Sequence, residues 1–369
     1  MAEYKIHWYS KDMSLLAILV DFNSLEYAWG ENSIGILKIS LPADEYPSLW
    51  VKRDSFFALY RNGILEMECI WFLRRIEFDD TNNILTLLAY SPNYLLGDPD
   101  NRAGRIVIYE SGSVVYTELQ DYADDMLKTL VLQNMGLGAL DAVRDLSNYL
   151  SISKNTSSGP IISKSCAKAL LLPLFQEICE SARQEGTPVY FDIVCTSVPY
   201  AMYTLQLEFR TYTSQRGRDL RNYTISKDMG NISNSYLIID YGPEITVCYA
   251  AGAGEGSLQP QESYTAPRRS VASAFNRRES FISISSTDDT AVLISAAKQY
   301  VSNGKPKVKF TGSIVDTENF RYGVEWGFGD RVSVYTHGFT FDARISAISV
   351  KVSQGAESVE ANISGEEDL

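Results

Sequence analysis

The sequence predicts a mainly β chain with α+β insertions, and three observations carry that reading. The first is the aromatic load. Its 23 tyrosines and 15 phenylalanines suit a pleated, half-buried surface better than a helix. The second is a series of short alternating segments bounded by turn residues, such as Gly35-Ile36-Leu37-Lys38-Ile39-Ser40-Leu41. That alternation is the mark of a strand with one wet face. The third is Gly323–Val334, in which Gly323, Gly327 and Gly329 surround Trp326 and Phe328 before Asp330 and a strand. Such glycine density permits tight turns with positive φ, and Asp330 can hydrogen-bond the nearby backbone. We read this segment as a stiff bend feeding a barrel strand, not as a pocket. The strand ends at Gly338, and Phe339–Val350 follows as its hairpin partner.

From the N-terminus, Tyr4–Ser10, Leu15–Val20, Ser24–Trp29 and Gly35–Leu41 read as strands, and Pro42–Pro47 interrupts them. Phe56–Tyr60 and Leu65–Ile70 flank Asn62-Gly63, whose residues accept the positive φ of a tight hairpin. Phe72–Phe78 and Ile84–Tyr90 flank Asp79–Asn83 as a second hairpin. Short strands at this spacing indicate an antiparallel barrel or sandwich over residues 1–96.

Beyond Ser91-Pro92 the period changes. Tyr116–Gln133 reads as a helix, with Leu119, Tyr122, Ala123, Met126, Leu127 and Leu130 at three- and four-residue intervals. Asp124-Asp125 then fall on its polar face, as solvated charges rather than a catalytic pair. Asp141–Pro160 is polar and reads as a loop or linker. A second helix spans Cys166–Glu185, with Pro173 either kinking it or marking its true start. Val189–Cys195 and Tyr203–Arg210 form the next hairpin. Arg216, Arg218 and Arg221 make a basic loop, either solvated or aimed at an acidic partner subunit. Ser235–Tyr241 and Ile245–Tyr249 are strands joined through Gly242-Pro243. Residues 255–280 form a basic insertion of low hydrophobicity that includes Arg268-Arg269 and Arg277-Arg278. Thr290–Asn303 is a helix closed by Gly304, Val308–Val315 returns to strand, and the acidic tail Gly365–Leu369 frays.

Composition narrows the function. At 369 residues the chain exceeds one ordinary core. A net charge of −13 argues against a surface built to neutralise phosphates. The five cysteines, Cys69, Cys166, Cys179, Cys195 and Cys248, are odd in number and widely spaced. They read as free, mostly buried thiols in a protein that folds in a reducing cytosol. The N-terminus lacks the pattern of a signal peptide, and no apolar run approaches the ~20 residues of a membrane helix. Asn155-Thr156-Ser157 and Asn222-Tyr223-Thr224 fit the glycosylation pattern, which carries little weight without secretion.

No chemistry announces itself. His7 and His337 are the two histidines and stand apart, so a metal site or His-dependent triad is not expected. The glycines of Ala250–Ser257 follow a strand, but neither a helix nor Lys-Ser/Thr follows them, so no phosphate cradle is specified. The pairs Glu66/Glu68 and Glu366/Glu367 suit glycosidase work only across a cleft. Trp8, Trp29, Trp50, Trp71 and Trp326 read as core or interface packing rather than sugar platforms. We expect no catalytic residue, cofactor or metal.

The order of features does resemble a known family. It runs through Leu95-Leu96-Gly97-Asp98 and Arg105-Ile106-Val107, then a long helix leading to Ser158-Gly159-Pro160. A second helix ends in Gly186-Thr187-Pro188-Val189-Tyr190-Phe191-Asp192, and strands follow that end in Leu205-Gln206-Leu207-Glu208-Phe209. Late in the chain stands Tyr322-Gly323-Val324-Glu325-Trp326-Gly327-Phe328-Gly329-Asp330-Arg331-Val332. This resembles the tail-hub, or baseplate-hub, proteins of long-tailed bacteriophages and prophages, across nearly the whole chain. The resemblance implies two tube-like antiparallel β-barrel domains, at 1–96 and at 200–250 with 307–369. It implies two peripheral α+β domains, at 97–199 and 251–306. It further implies a homotrimer whose six barrels form a pseudo-sixfold ring at the virion tail tip. That ring would join the tail-tube or distal tail protein to the tip, meet the tape-measure protein and tail fibre or tip protein, and let DNA pass without specific binding or stable membrane insertion. Family members often carry C-terminal lysozyme, peptidase or fibre modules. This chain stops after the last hub barrel, so cell-wall degradation is expected from a separate protein. The competing expectations are a carbohydrate-binding adhesion protein of the virion and, behind it, a tail-tip hydrolase.

Overall fold

The computed structural model describes residues 2–45, 54–107, 117–166, 169–199, 204–256, 259–267, 274–285, 288–314, 317, 319–353 and 355–365. The expectations for Trp50, Tyr116, Arg268-Arg269, Glu366/Glu367 and the end of the tail lie outside them.

The chain opens with β1 (Tyr4–Tyr9), β2 (Leu15–Leu19), β3 (Ser24–Gly30), β4 (Ile36–Pro42), β5 (Phe56–Arg61), β6 (Ile64–Asp79) and β7 (Ile84–Tyr90). An α+β unit follows: β8 (Thr117–Tyr122), α1 (Ala123–Met135), β9 (Leu150–Ile152), β10 (Ile161–Cys166), α2 (Leu171–Gln184), β11 (Val189–Ser197) and β12 (Gln206–Thr213). Then come β13 (Asp219–Ile225) and β14 (Ile232–Asp240), and a small unit of β15 (Val247–Ala251), β16 (Gln261–Thr265), β17 (Glu279–Ser283) and α3 (Thr290–Asn303). The chain closes with β18 (Lys307–Ile314), β19 (Arg331–Thr336), β20 (Phe339–Ser353) and β21 (Ala356–Gly365). It is mainly β, as expected.

Local chemistry accounts for the hairpins. At the β5–β6 turn Asn62 and Gly63 take φ of 52° and 79°, and at the β19–β20 turn His337 and Gly338 take 49° and 83°. Those are the left-handed values that a two-residue hairpin turn requires. Both pairs are antiparallel.

One 13-stranded sheet takes in the strands of both expected barrels. Its order repeats. The run β3-β4-β7-β6-β5-β1 returns as β14-β18-β21-β20-β19-β13. The long strands β6 and β20 hold the same place in each run, and each serves one partner with its first half and another with its second. The copies differ at one end, where β1 is antiparallel to β5 but β13 is parallel to β19. The two sets are fused by antiparallel pairing of β20 with β3, from Ala347↔Gly30 to Ser353↔Ser24. One core draws on both: Trp8, Trp29, Trp71 and Phe57 pack with Trp326, Phe328, Val332 and Val350. Trp29 meets Trp71 edge-on at 5.6 Å and reaches Phe328 at 6.5 Å. Burying each such side chain stabilises by roughly 1.5–3 kcal/mol, so the two sets hold each other folded.

The α+β unit packs on the outside of the first set. Along β5, Phe57 and Leu59 point into the main core, while Phe56 and Ala58 point the other way, into a second core with α1, α2 and β11. Alternate residues face opposite sides of a strand, so the continuous apolar run of β5 is explained by burial on both faces.

Four expectations are corrected here. Helix α1 starts at Ala123, because Thr117–Tyr122 pairs with β10 as a strand. The polar stretch 141–160 is not all linker. Its Leu150–Ile152 pairs in parallel with β12, a long-range contact that no local pattern announces. The boundary at 199/200 does not fall between sheets, since β12 is the hairpin partner of β11. Nor does that at 250/251. Strand β15 does not pair with β14 but lies between β16 and β17, beneath α3.

The largest correction concerns Asp124 and Asp125. They are not solvated: both, and Lys128, are at most 2% exposed. They stand in the first turn of α1, where the helix dipole favours negative charge, and they capture the segment after β9. Asp124 accepts the Gly159 N–H at 2.8 Å, and Asp125 accepts the Thr156 N–H at 3.0 Å. Lys128 Nζ reaches Asp125 at 3.3 Å and the Lys154 carbonyl at 2.8 Å. Burial alone would raise the Asp125 pKa. The Ser157 hydroxyl, the Thr156 N–H and Lys128 outweigh it and hold the carboxyl below its ordinary range. Helical periodicity placed these residues opposite the apolar stripe, and a second layer covers that side too.

Candidate assembly site

The glycine-rich bend is the point where three units meet. Asp330 is 3% exposed. One carboxylate oxygen accepts the Arg218 N–H at 2.6 Å; the other accepts the Gly327 N–H and Arg218 Nη2, both at 2.8 Å. The expected turn-fixing role of Asp330 is therefore present, and it extends to a segment more than a hundred residues away. Gly217 must be glycine, because a Cβ there would stand 2.5 Å from Asp330 N and the Gly329 carbonyl carbon. The backbone laces the contact: Gly217 N–H donates to the Gly329 carbonyl at 3.0 Å, and Gly329 N–H to that of Ile345 at 2.9 Å.

The neighbouring Arg216 ties in the α+β unit. It ion-pairs with Asp192 of β11, and its guanidinium lies 4.5 Å from the ring centre of Phe328. Asp192 also accepts Asn93 Nδ2 at 3.2 Å, and Asn93 Oδ1 accepts the Ile193 N–H at 2.8 Å. Burial works against the charge on Arg216, but the Asp192 carboxylate overrides it and the pKa is raised. Removing one member of such a buried pair typically costs about 3–5 kcal/mol, because the other charge is stranded. The three arginines expected in a solvated or partner-facing loop thus find acids within the chain. Arg221 pairs with Asp219 at 2.6 Å and Asp342 at 3.2 Å.

A second buried junction joins the two strand sets directly. Arg61 of β5 pairs with Glu357 of β21 at 2.9 Å and donates to the Tyr322 carbonyl at 2.9 Å. Tyr4 donates to Glu357 at 2.6 Å. Gly323 turns here with φ +75°, where a Cβ would come within 2.7 Å of Arg61 Nη1. Glu66 is gripped by the hydroxyls of Tyr27, at 3.0 Å, and Tyr322. Burial pushes its pKa up, and these hydrogen bonds only partly oppose that.

The remaining sequence candidates disperse. Glu68 points outward to Arg210 at 3.2 Å, so Glu66 and Glu68 do not face each other across a cleft. His7 lies 4.6 Å from the Tyr60 ring, and His337 occupies a turn. Trp8, Trp29, Trp71 and Trp326 are at most 3% exposed, buried in the core rather than offered to a ligand. Cys69, Cys179, Cys195 and Cys248 are free and buried. Among the described residues, no group of His, Cys, Asp and Glu is arranged to hold a metal ion.

Among the described residues, what the fold leaves open is strand edge. The sheet path ends at β14 and at β2. The first carries Tyr236 and Ile238, 62% and 39% exposed; the second carries Leu15 and Ile18, 49% and 50% exposed. Free edges bearing apolar side chains are templates for another strand. No sequence pattern separates them from paired strands, because an edge is a property of the sheet.

Comparison with known proteins gives a family and a fold. Residues 5–363 match the family described as Siphovirus ReqiPepy6 Gp37-like protein. The chain is similar in fold to the prophage tail protein gp18 from Listeria monocytogenes EGD-e, at 13% identity and TM-score 0.55, over 99% of this chain and 95% of that one. The 43 kDa tail protein of prophage MuSo2 from Shewanella oneidensis is 9% identical, with TM-score 0.60 over 98% of each chain. A tail protein from Neisseria meningitidis MC58 is 12% identical, with TM-score 0.54 over 99% and 97%. Identities this low speak to the fold. No curated protein matches the chain.

Proposed function

The chain belongs to the Siphovirus ReqiPepy6 Gp37-like family, and from that premise we propose that it is a structural hub of the phage tail. Three copies form a ring. Each contributes two tube-like strand sets, giving a pseudo-sixfold collar that joins the tail tube or distal tail protein to the tip. The observation that carries this reading is the repeated strand order, fused side by side within one sheet. A chain that already holds two copies of a unit needs three subunits to match a six-membered tube.

The division of the chain follows the sheets. The first set occupies 1–96 and the second roughly 214–244 with 305–369. The peripheral units are roughly 97–213 and 245–304. The net charge of −13 suits a passage that DNA must cross without sticking. The ion pairs at Asp330, Arg216 and Arg61 serve rigidity rather than chemistry, since their polar groups satisfy one another. We assign no catalytic activity to the chain, and cell-wall degradation would belong to another tail protein. Tape-measure and fibre or tip proteins are the remaining neighbours in this reading.

The test is the mass of the purified chain in solution and its negative-stain image, alone and with the tail-tube subunit. A three-membered ring with a central hole is expected. A chain that stays monomeric in both conditions and does not bind the tube subunit defeats the reading.

A further inference from the structure

The duplicated order makes the junction between β20 and β3 informative. It joins the second set to the first within one chain, yet each set contains the counterpart of both strands. The counterpart of β20 is β6, and that of β3 is β14. Among the described residues, the outer lips of β6 over Arg75–Asp79 and of β14 over Tyr236–Asp240 have no strand partner. We propose that β6 of one copy pairs with β14 of the next, repeating between copies the junction that β20 and β3 form within one. This rests on the ring reading above and names the surfaces that close the ring.

The register follows from the bulges. Strand β6 is irregular against β7 between Leu73 and Arg75, and β20 against β21 between Ile345 and Ala347. Such bulges are positional features of a strand, so aligning them sets Arg75 beside Ala347, Phe78 beside Val350 and Asp79 beside Lys351. On the next strands, Arg75↔Leu88 and Ala347↔Asn362 make Leu88 equivalent to Asn362. Leu88↔Lys38 and Asn362↔Thr311 then make Lys38 equivalent to Thr311. Finally, Lys38↔Glu26 and Thr311↔Tyr236 make Glu26 equivalent to Tyr236. Within the chain Lys351 lies opposite Glu26. Between copies Asp79 therefore lies opposite Tyr236, and the pairs run on antiparallel: Phe78 to Leu237, Glu77 to Ile238, Ile76 to Ile239, Arg75 to Asp240.

Two independent features agree with this register. The first is facing. A one-residue error would turn every side chain to the wrong side, yet here Ile76 and Leu237, which both touch the main core, fall on the same face, while Glu77 and Ile238 share the outer one. The outer face also sets Arg75 against Asp240, opposite charges as at the internal junction, where Lys351 meets Glu26 at 3.1 Å. The second is burial. Val350 is 0% exposed and its counterpart Phe78 is 51% exposed; Tyr27 is 1% exposed and its counterpart Leu237 is only half-buried. The internal junction covers its residues, and the open one leaves theirs bare. The join is head-to-tail, so it builds a ring or a filament rather than a two-fold pair, and the ring reading above selects the ring.

Cysteines test it. Facing residues of an antiparallel pair have Cα atoms about 4.5–5.5 Å apart, within disulfide reach. The full chain carrying Glu77→Cys and Ile238→Cys, oxidised alone and with the tail-tube subunit, should give dimer and trimer bands on a non-reducing gel. Glu77→Cys with Ile239→Cys, which puts the thiols on opposite faces, should give at least tenfold less. Phe78→Asp should abolish the oligomer while leaving the circular dichroism spectrum unchanged. Equal cross-linking by both pairs, or dimers from Glu77→Cys alone, overturns the register or replaces it with a two-fold contact. A trimer by mass with no cross-link overturns the edge assignment but leaves the ring reading standing. A monomer under both conditions overturns both.

Discussion

The two strand sets are built to one order but finished differently. In the second, the latter half of β20 is flanked on both sides, by β21 and β3. In the first, among the described residues, the matching half of β6 has β7 on one side alone. Where the extra strand is present, Val350 disappears into the core; where it is absent, Phe78 lies half in solvent. Strand order is thus a property of each set, but burial at its lip depends on a neighbour. The sets also end differently. The bend before β19 is locked by Asp330 to the segment following β12, which carries the second set's connection to the α+β unit.

The largest effect expected from this comparison comes from making one change at both matched positions. Val350→Asp buries an unpaired carboxylate and should cost about 4 kcal/mol in urea unfolding. Phe78→Asp should stay within about 0.5 kcal/mol of wild type for the isolated chain. Equal losses would break the equivalence drawn between β6 and β20. Next is Asp330→Ala, which strands the Gly327 and Arg218 N–H groups and frees Arg218. A loss of about 3 kcal/mol is expected, with hydrogen exchange accelerating at the bend and at Gly217 before it does in β5–β7. Uniform acceleration would show that the lock is not local to the second set.

The smallest effect probes the junction that the sets share. The Glu66 pKa in the fold is raised above its ordinary 4.5. Its stabilising contribution is therefore fully present below that value and is lost as pH rises through the raised one. Glu66→Gln keeps an acceptor for Tyr27 and Tyr322 and removes the charge. It should be more stable than wild type at neutral pH and flatten the stability profile above pH 4.5. An unchanged profile would mean that Glu66 is not the titrating group.

Much of the architecture was legible from local pattern. Asn62-Gly63 marked a hairpin because its backbone angles are demanded by the turn itself. Asp330 was readable as a turn anchor because its Gly327 partner is three residues away. The helix over Thr290–Asn303 was readable from its period and its closing glycine. Asp124 and Asp125 were misread because a helical period reports one buried face and is silent about a second layer. The strand Leu150–Ile152 escaped placement because its partner lies far along the chain, and Val247–Ala251 was assigned to β14 because the strands that flank it, β16 and β17, lie in a stretch without strand alternation.

The sequence by itself determined the strands of the first set, which turns are tight and where the chain bends, since those follow from backbone preference and side-chain alternation over a few residues. Only the tertiary structure decided that Arg216 meets Asp192, that Arg61 meets Glu357, and that β20 is covered where β6 is bare. A charge carries no address for its partner, and a strand does not record whether it stands at an edge. Both are settled when distant segments meet.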